Sequence, residues 1–350
     1  MSFLLIIFYI NQESAANGLF TLFQNRLGDL FFVFFILGLV DIGMVNHLVI
    51  KSGLLLLVIG SSVKSAQFPF NAWLLAAIRA PTPISSLVHS STLVVAGVYI
   101  LLQFSYCLID ILFVLKYISL FTLLVSLFGL LNELDMKKLI AYSTIRHVSL
   151  IMYILRFNLV KIVYFHLNIH AIFKSLIFMC FGFVMLTSFH RQDKRLVSLL
   201  ILHPLIKIVY YFSCFCLAGL PMLRAFFSKD FIIQYLIMSS FELSYVVLLL
   251  CFLSVRIYYS MKLLKLGRVQ FSLINFEFNS LGVLRVFVIT FVMIIFINVF
   301  LSFIFSLSLE IFRSKIFIYV FIFVLFFLSV YSKLNFKLFF YTKFLNFKEL

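Results

Sequence analysis

The chain has 350 residues, of which 64% are hydrophobic and only 11% are charged, and its mean hydropathy is +1.19. Because a soluble domain keeps about a quarter of its residues charged, this composition excludes a water-soluble globule and requires a lipid bilayer as the solvent. The formal net charge of +16 comes from Lys and Arg scattered along the chain, and without a concentrated basic face we expect no nucleic-acid partner.

Long uncharged runs predict an all-α polytopic membrane protein. Between Arg285 and Glu310 there are 24 residues without a charge, more than the ~20 that a helix needs to cross a bilayer. The apolar runs do not alternate as the strands of a membrane barrel do. In chain order we predict about 10–11 transmembrane helices, at 1–10 (in part), 28–45, 48–78, 84–104, 110–131, 138–156, 161–187, 200–238, 241–262, 281–309 and 315–332.

Two of these segments are expected to be discontinuous. The chain has five prolines in two groups: Pro69, Pro81 and Pro83, then Pro204 and Pro221. Proline breaks a helix, and a break at membrane depth is tolerated where protein or a water-filled cavity surrounds it. Lys64 lies close to the first group and Lys229 to the second, and paired broken helices are typical of transport sites built on inverted repeats. Ordinary helix ends joined by turns would leave the same pattern.

Ionisable side chains inside apolar segments are the candidate functional residues, because a charge at the bilayer centre costs ~2.5–3.5 kcal/mol and needs a partner or a function. Lys64 either exchanges a proton as a nearby carboxylate moves or extends its ammonium group to the interface. Asp29 is either a charge at the membrane face or the partner of a buried cation. Lys229 and Asp230 are either a neutralised pair or a titrating lysine beside its modulator.

A column of titratable groups is predicted in the segment 161–187. His166, His170 and Lys174 are spaced at i, i+4 and i+8 and therefore share one helix face. Since histidine titrates near neutral pH, the column predicts a proton relay; a structural histidine pair is the alternative. His89 precedes hydroxyl side chains at 90–92, which can hold water or bond to the helix backbone.

No cofactor or metal is expected in this chain. Its five cysteines lie in apolar segments without Cys-x-x-Cys spacing, which disfavours zinc or iron–sulfur ligation. The two histidines at i and i+4 have no obvious third ligand. The sequence also contains no glycine-rich nucleotide-binding fingerprint, so the energy for any transport would have to come from another protein.

Six motifs rich in polar residues follow one another: NRLGD at 25–29, KSAQFPFNAWLLAAIRAPTPISSLVHSSTLVVAGVY at 64–99, LDMKKLIAYST at 134–144, HLNIHAIFKSLIFMCFG at 166–182, RQDKR at 191–195 and LPMLRAFFSKD at 220–230. In this order they resemble the chain 5 family of respiratory NADH–ubiquinone oxidoreductase (complex I). By extension they resemble the antiporter-like superfamily, which includes cation/proton antiporters and membrane-bound hydrogenase subunits. The resemblance is dense from about residue 11 to 235.

The resemblance implies two inverted five-helix repeats with one discontinuous helix each. It implies a proton-translocating core at 1–264, its first repeat incomplete at the N-terminus, and C-terminal transmembrane helices with a basic tail at 265–350. Proton-relay roles are implied in chain order: Asp29 as an acidic position of the family pattern, Lys64 in the first half-channel, His89 as a link, His166, His170 and Lys174 in the central relay, and Lys229 with Asp230 in the second broken helix.

The implied setting is the mitochondrial inner membrane, where the protein would couple electron transfer from NADH to ubiquinone to proton pumping. NADH, FMN, iron–sulfur clusters and ubiquinone would be bound by other subunits. Its partners would be the other membrane-arm subunits, among them chain 4, together with bilayer lipids that include cardiolipin.

Two departures from the family pattern leave alternatives open. The chain begins just after the Gly-Trp-Glu motif, whose glutamate usually pairs with the first lysine, and Glu13 does not match it. We therefore expect a mitochondrial gene product that is N-terminally incomplete, with the partner of Lys64 undetermined. Arg146 and His147 also replace the usual Ser-Gln. The alternatives are an Mrp-like cation/proton antiporter subunit and a truncated structural subunit that does not pump.

Overall fold

The computed structural model describes residues 2–9, 11–41, 47–90, 92–108, 111–187, 192–193, 204–219, 228–229 and 263. Across these residues the chain is helical, and the β-type pairing found there is one isolated bridge between Asp135 and Asp193. The all-α prediction is therefore confirmed. The predicted helices at 241–262, 281–309 and 315–332, and the C-terminal segment 265–350, lie outside the described residues.

The described part of the chain contains ten α-helices and two short 3-10 turns, Ile7–Tyr9 and Ala77–Arg79. The α-helices are Ser2–Ile6 (α1), Gln12–Asp41 (α2), His47–Lys64 (α3), Ala72–Ala76 (α4), Thr82–Ser90 (α5), Leu93–Gln103 (α6), Leu112–Asn132 (α7), Met136–Leu155 (α8), Val160–Thr187 (α9) and Pro204–Ala218 (α10). Among the described residues, four helical stretches are long and apolar enough to cross a membrane: Gln12–Gly38, Thr82–Gln103, Phe113–Asn132 and Val160–Leu186.

Helix boundaries agree with the sequence in the middle of the chain and differ near its start. Both ends of α7, α8 and α9 lie within two residues of the predicted segments. The helix predicted at 28–45 is wrong at its first residue, because α2 begins at Gln12. The segment 12–27 is polar, but it is rich in good helix formers such as Gln, Glu, Ala and Leu, so helical structure continues beyond the apolar run.

The first predicted break is confirmed. The helix α3 ends at Lys64, and Ala66 adopts a left-handed backbone conformation with φ 53°. The indole Nε1 of Trp73 donates a 2.9 Å hydrogen bond to the carbonyl of Val63, which supplies a donor to a carbonyl of the last helical turn. Thr122 of α7 donates a 2.7 Å hydrogen bond to Gln67 Oε1. Side chains from both sides of the turn thus stabilise the break.

The second predicted break, within 200–238, falls largely outside the described residues. The helix α10 ends at Ala218, and Gly219 follows with φ 72°, as is common directly after a helix. Ser228 and Lys229 are again helical. The described residues therefore end one helix and place a helical pair ten residues later, and the discontinuity itself stays a prediction, as does the inverted repeat.

The most polar of the long helices is also the most buried. Every residue of α8 except Lys138 and Tyr142 is buried, although this helix carries Lys137, Arg146 and His147. The apolar helices α2 and α7 instead leave large side chains exposed, among them Phe34 and Phe128. Lipid is a good environment for such apolar side chains, whereas buried charged ones need protein partners. Helix α8 therefore forms the interior of the bundle.

The helix α6 touches the broken end of α3 through a glycine. A Cβ atom at Gly97 would lie 2.6 Å from the carbonyl oxygen of Ser61 and 2.9 Å from the backbone nitrogen of Ser65. Both are backbone atoms next to Lys64, and they cannot move without shifting the helix. Close packing of α6 thus fixes the position at which α3 stops.

We predict that Gly97→Ala destabilises the protein by about 1–3 kcal/mol, the usual cost of overpacking. Gly38→Ala is the matched control, because a Cβ atom at Gly38 meets nothing within 4 Å and alanine is the better helix former by roughly 0.5–1 kcal/mol. Thermal unfolding in detergent micelles measures both. Equal unfolding midpoints for the two variants would contradict the packing described for α6.

Candidate functional site

The ammonium group of Lys64 is paired with a carboxylate of the preceding long helix. Its Nζ lies 2.5 Å from Oδ1 of Asp29, and the Lys64 side chain is only 19% exposed. The two helices come close where Gly28 faces Gly60, since a Cβ at Gly60 would lie 3.2 Å from the Gly28 carbonyl oxygen. Of the two interpretations of Asp29, the structure supports the partner of a largely buried cation.

A second ion pair of α2 involves Glu13, which lies in the first turn of this helix and is therefore about 24 Å from Asp29 along the helix axis. Glu13 forms an ion pair with Arg79, and their side chains are 78% and 50% exposed. It is thus bound to a different cation from Lys64. Arg26 lies 3.9 Å from Asp29, so the carboxylate beside Lys64 also experiences a second, mostly exposed positive charge.

The predicted column on α9 faces the polar helix α8. Lys174 is fully buried; its Nζ donates hydrogen bonds to the hydroxyl of Ser143 and, at 3.3 Å, to the carbonyl of Ile140. His166 and His170 are also buried. The i, i+4, i+8 spacing therefore places all three titratable side chains in the interior, as the sequence predicted.

His147 of α8 joins this column, and sequence reasoning missed it as a site residue. Its ring centroid is 5.3 Å from that of His170 and 5.9 Å from that of His166. A signal was present in the sequence, because Ser143 and His147 are spaced at i, i+4 just as the groups of α9 are. Only the register between α8 and α9 shows that the two columns meet.

The second intramembrane lysine lies next to the same cluster. Lys229 is buried and its Nζ donates a hydrogen bond to the carbonyl of Leu217, in the last turn of α10. The hydroxyl of the adjacent Ser228 is hydrogen-bonded at 2.8 Å to Nδ1 of His166. The column on α9 and the lysine predicted in the second broken helix are thus connected through one residue.

Two predicted site residues cannot be placed. Asp230 lies outside the described residues, and of His89 the structure describes only its position in α5. Another buried lysine, Lys137 of α8, binds the chain between the 3-10 turn Ala77–Arg79 and α5: its Nζ donates a 3.2 Å hydrogen bond to the carbonyl of Ala80, directly before Pro81. A cation is favourable at this carbonyl end of a helical turn.

Within the described ranges no group of three or more His, Cys, Asp or Glu residues is placed to hold a metal ion.

Residues 1–257 match the family described as "NADH:quinone oxidoreductase/Mrp antiporter, TM". The chain belongs to this family. Among its relatives is NADH-ubiquinone oxidoreductase chain 5 of Locusta migratoria, 38% identical over 252 residues that make up 68% of this chain and 44% of the relative. The chain 5 protein of Apis mellifera ligustica is 40% identical over 242 residues, 67% of this chain and 43% of the relative. The chain thus spans about half the length of the curated relatives it matches.

Two solved membrane complexes contain chains with the same fold. A chain of the membrane-bound sulfane sulfur reductase, an archaeal respiratory membrane complex, superposes with a TM-score of 0.75 at 23% identity, covering 88% of this chain and 68% of that one. A chain of the Mrp complex from Dietzia sp. DQ12-45-1b gives a TM-score of 0.64 at 24% identity, covering 77% and 32%. At these identities the likeness shows the family fold alone.

We predict that Asp29→Asn lowers the free energy of unfolding by about 1–3 kcal/mol, because it leaves the largely buried ammonium group of Lys64 without a carboxylate. Glu13→Gln is the matched control: it also turns the acid of an ion pair into an amide, but at an exposed site where the expected loss is below about 1 kcal/mol. Unfolding midpoints in micelles compare the two. A larger loss for Glu13→Gln would refute the importance of the Lys64–Asp29 pair.

Proposed function

We propose that this chain carries protons across the mitochondrial inner membrane as an antiporter-like subunit of an NADH:ubiquinone oxidoreductase. The observation that carries the proposal is the interior cluster in which titratable side chains of α8, α9 and the segment 228–229 meet. Membership of the family and the similarity to chain 5 proteins support the choice of a respiratory complex. Buried ionisable groups in a membrane bundle are typical of proton pathways.

The lysines of the site are held in two different ways. Lys64 has a carboxylate partner in Asp29, so its charge depends on the charge of a side chain on another helix. Among the groups that accept hydrogen bonds from Lys174 and Lys229 are a hydroxyl and backbone carbonyls. A neutral oxygen accepts a hydrogen bond from an ammonium group and from an amine alike, so a proton can leave either lysine while the contact persists.

Proton passage in this scheme runs from the first break towards the second. Lys64 and Asp29 accept a proton at the end of α3, and His166, His170 and Lys174 carry it through the interior. Lys229 then receives it, since Ser228 connects this segment to His166. Because charges repel strongly in a medium of low dielectric constant, protonation at one lysine favours release at the next.

The driving energy comes from outside the chain in this proposal. Electron transfer from NADH to ubiquinone, with FMN and iron–sulfur clusters, takes place in other subunits. The chain's own partners are the neighbouring membrane-arm subunits, including chain 4, and bilayer lipids such as cardiolipin. The role of the chain is to convert a change of charge at its contact with these subunits into proton movement.

A cation/proton antiporter subunit is the second candidate, because the family also includes the Mrp antiporters. The two functions differ in what drives transport. In sealed vesicles, proton uptake that follows an imposed sodium gradient and ignores NADH would favour the antiporter. Proton uptake that starts with NADH and stops with a quinone-site inhibitor supports the respiratory subunit.

We predict that Lys174→Met, Lys64→Met and Lys229→Met each reduce NADH-driven proton pumping by at least about tenfold, in line with the usual contribution of a positioned proton-transfer group. Lys161→Met is the matched control, since Lys161 lies on the same helix as Lys174 but is exposed. Pumping is followed by a pH-sensitive dye in vesicles that hold the assembled enzyme. Undiminished pumping by the Lys174 variant would rule out the proposed pathway.

A further inference from the structure

We propose that His147 is a proton-carrying member of the central relay, through which a proton passes between His166 and His170. This inference rests on the proposed function, because it adds one residue to the pathway proposed above. It concerns a residue on α8, whereas the two other histidines are both on α9.

The first argument is position. His166 and His170 are one helical turn apart, and their Cα atoms are separated along the axis by about 6 Å at 1.5 Å per residue. The ring of His147 approaches both of them from the neighbouring helix, with centroid distances of 5.9 Å and 5.3 Å. One side chain of α8 therefore lies beside both histidine rings of α9 and can exchange a proton with either of them.

The second argument is the state of the ring nitrogens. Both nitrogens of His147, Nε2 of His166 and Nε2 of His170 are buried and form no hydrogen bond to another protein group in the described part of the chain. An unsatisfied buried polar atom costs about 1–3 kcal/mol. A residue needed only to fill space would avoid this cost by being apolar. Four such nitrogens in one place therefore indicate a use for them, and a neutral imidazole can give a proton from one nitrogen and accept one at the other.

The third argument is electrostatic. Among the described residues, the charged and titratable groups that act on His147 include Lys229, Arg146, His170 and Lys174. The ring thus lies where the lysine of the central column and the lysine of the segment 228–229 both act on it. A proton on His147 is repelled by whichever lysine is charged, so its transfer is directed towards the lysine that has just lost its proton.

The test compares His147→Asn, which keeps hydrogen-bonding atoms but cannot carry a proton at neutral pH, with His147→Phe, which keeps an aromatic ring and loses both nitrogens. Tyr142→Phe is the matched control, because it removes one polar atom from α8 on the face that packs against Gly129 of α7. Lys174→Met serves as the reference for a blocked pathway. All are measured in the assembled complex, in sealed vesicles supplied with NADH.

We expect both His147 variants to assemble and to pump protons at least roughly tenfold more slowly than the Tyr142→Phe control. The solvent deuterium isotope effect on pumping should rise in His147→Asn, because the missing transfer step becomes limiting; a mere packing defect would leave that effect unchanged.

Two results would overturn the inference while leaving the proposed function intact. One is pumping by His147→Asn at the control rate while Lys174→Met is blocked. The other is failure of both His147 variants to assemble while the control assembles, which would make His147 a structural residue. Normal pumping by Lys174→Met would instead refute the proposed function itself.

Discussion

The structure depends on one constraint: a cation inside an apolar bundle must be surrounded by oxygen atoms, because its charge is too costly to leave uncompensated. Each buried lysine meets this constraint in its own way. Asp29 supplies a carboxylate to Lys64, and Ser143 supplies a hydroxyl to Lys174. Backbone carbonyls serve Lys137 and Lys229, and these carbonyls lie at the ends of helical segments, where the backbone is not fully used by the helix. Helix ends and buried charges therefore occur together in this protein.

The same constraint explains why the polar helix α8 lies inside the bundle and the more apolar helices lie outside. Helix α8 carries Lys137, Arg146 and His147 and is nearly all buried, while α2 and α7 expose aromatic side chains such as Phe34 and Phe128. In water such an arrangement would leave a large apolar surface exposed. In a bilayer it places the described buried lysines where another part of the chain can bind them, and it leaves the lipid to solvate the apolar side chains.

Sequence reasoning succeeded where the signal is local. The spacing of His166, His170 and Lys174 predicted their common face, the residues around Lys64 and Pro69 predicted the first break, and the polar motifs predicted the family. It failed where two helices had to be aligned. The Lys64–Asp29 pair depends on the contact of Gly28 with Gly60, and His147 reaches the column only through the register of α8 against α9. The start of α2 was missed because apolar runs mark membrane depth, whereas helix propensity decides where a helix begins.

The hydrogen bond between Ser228 and His166 has a consequence for the histidine tautomer. A serine hydroxyl both donates and accepts, so it can bind Nδ1 of His166 whether or not that nitrogen carries hydrogen. When a proton leaves the ring through Nε2, the imidazole can change tautomer without rotating in its packed surroundings. Since Ser228 and Lys229 are joined by a single peptide bond, a displacement of that lysine would also move the hydroxyl and remove its hydrogen bond to Nδ1 of His166.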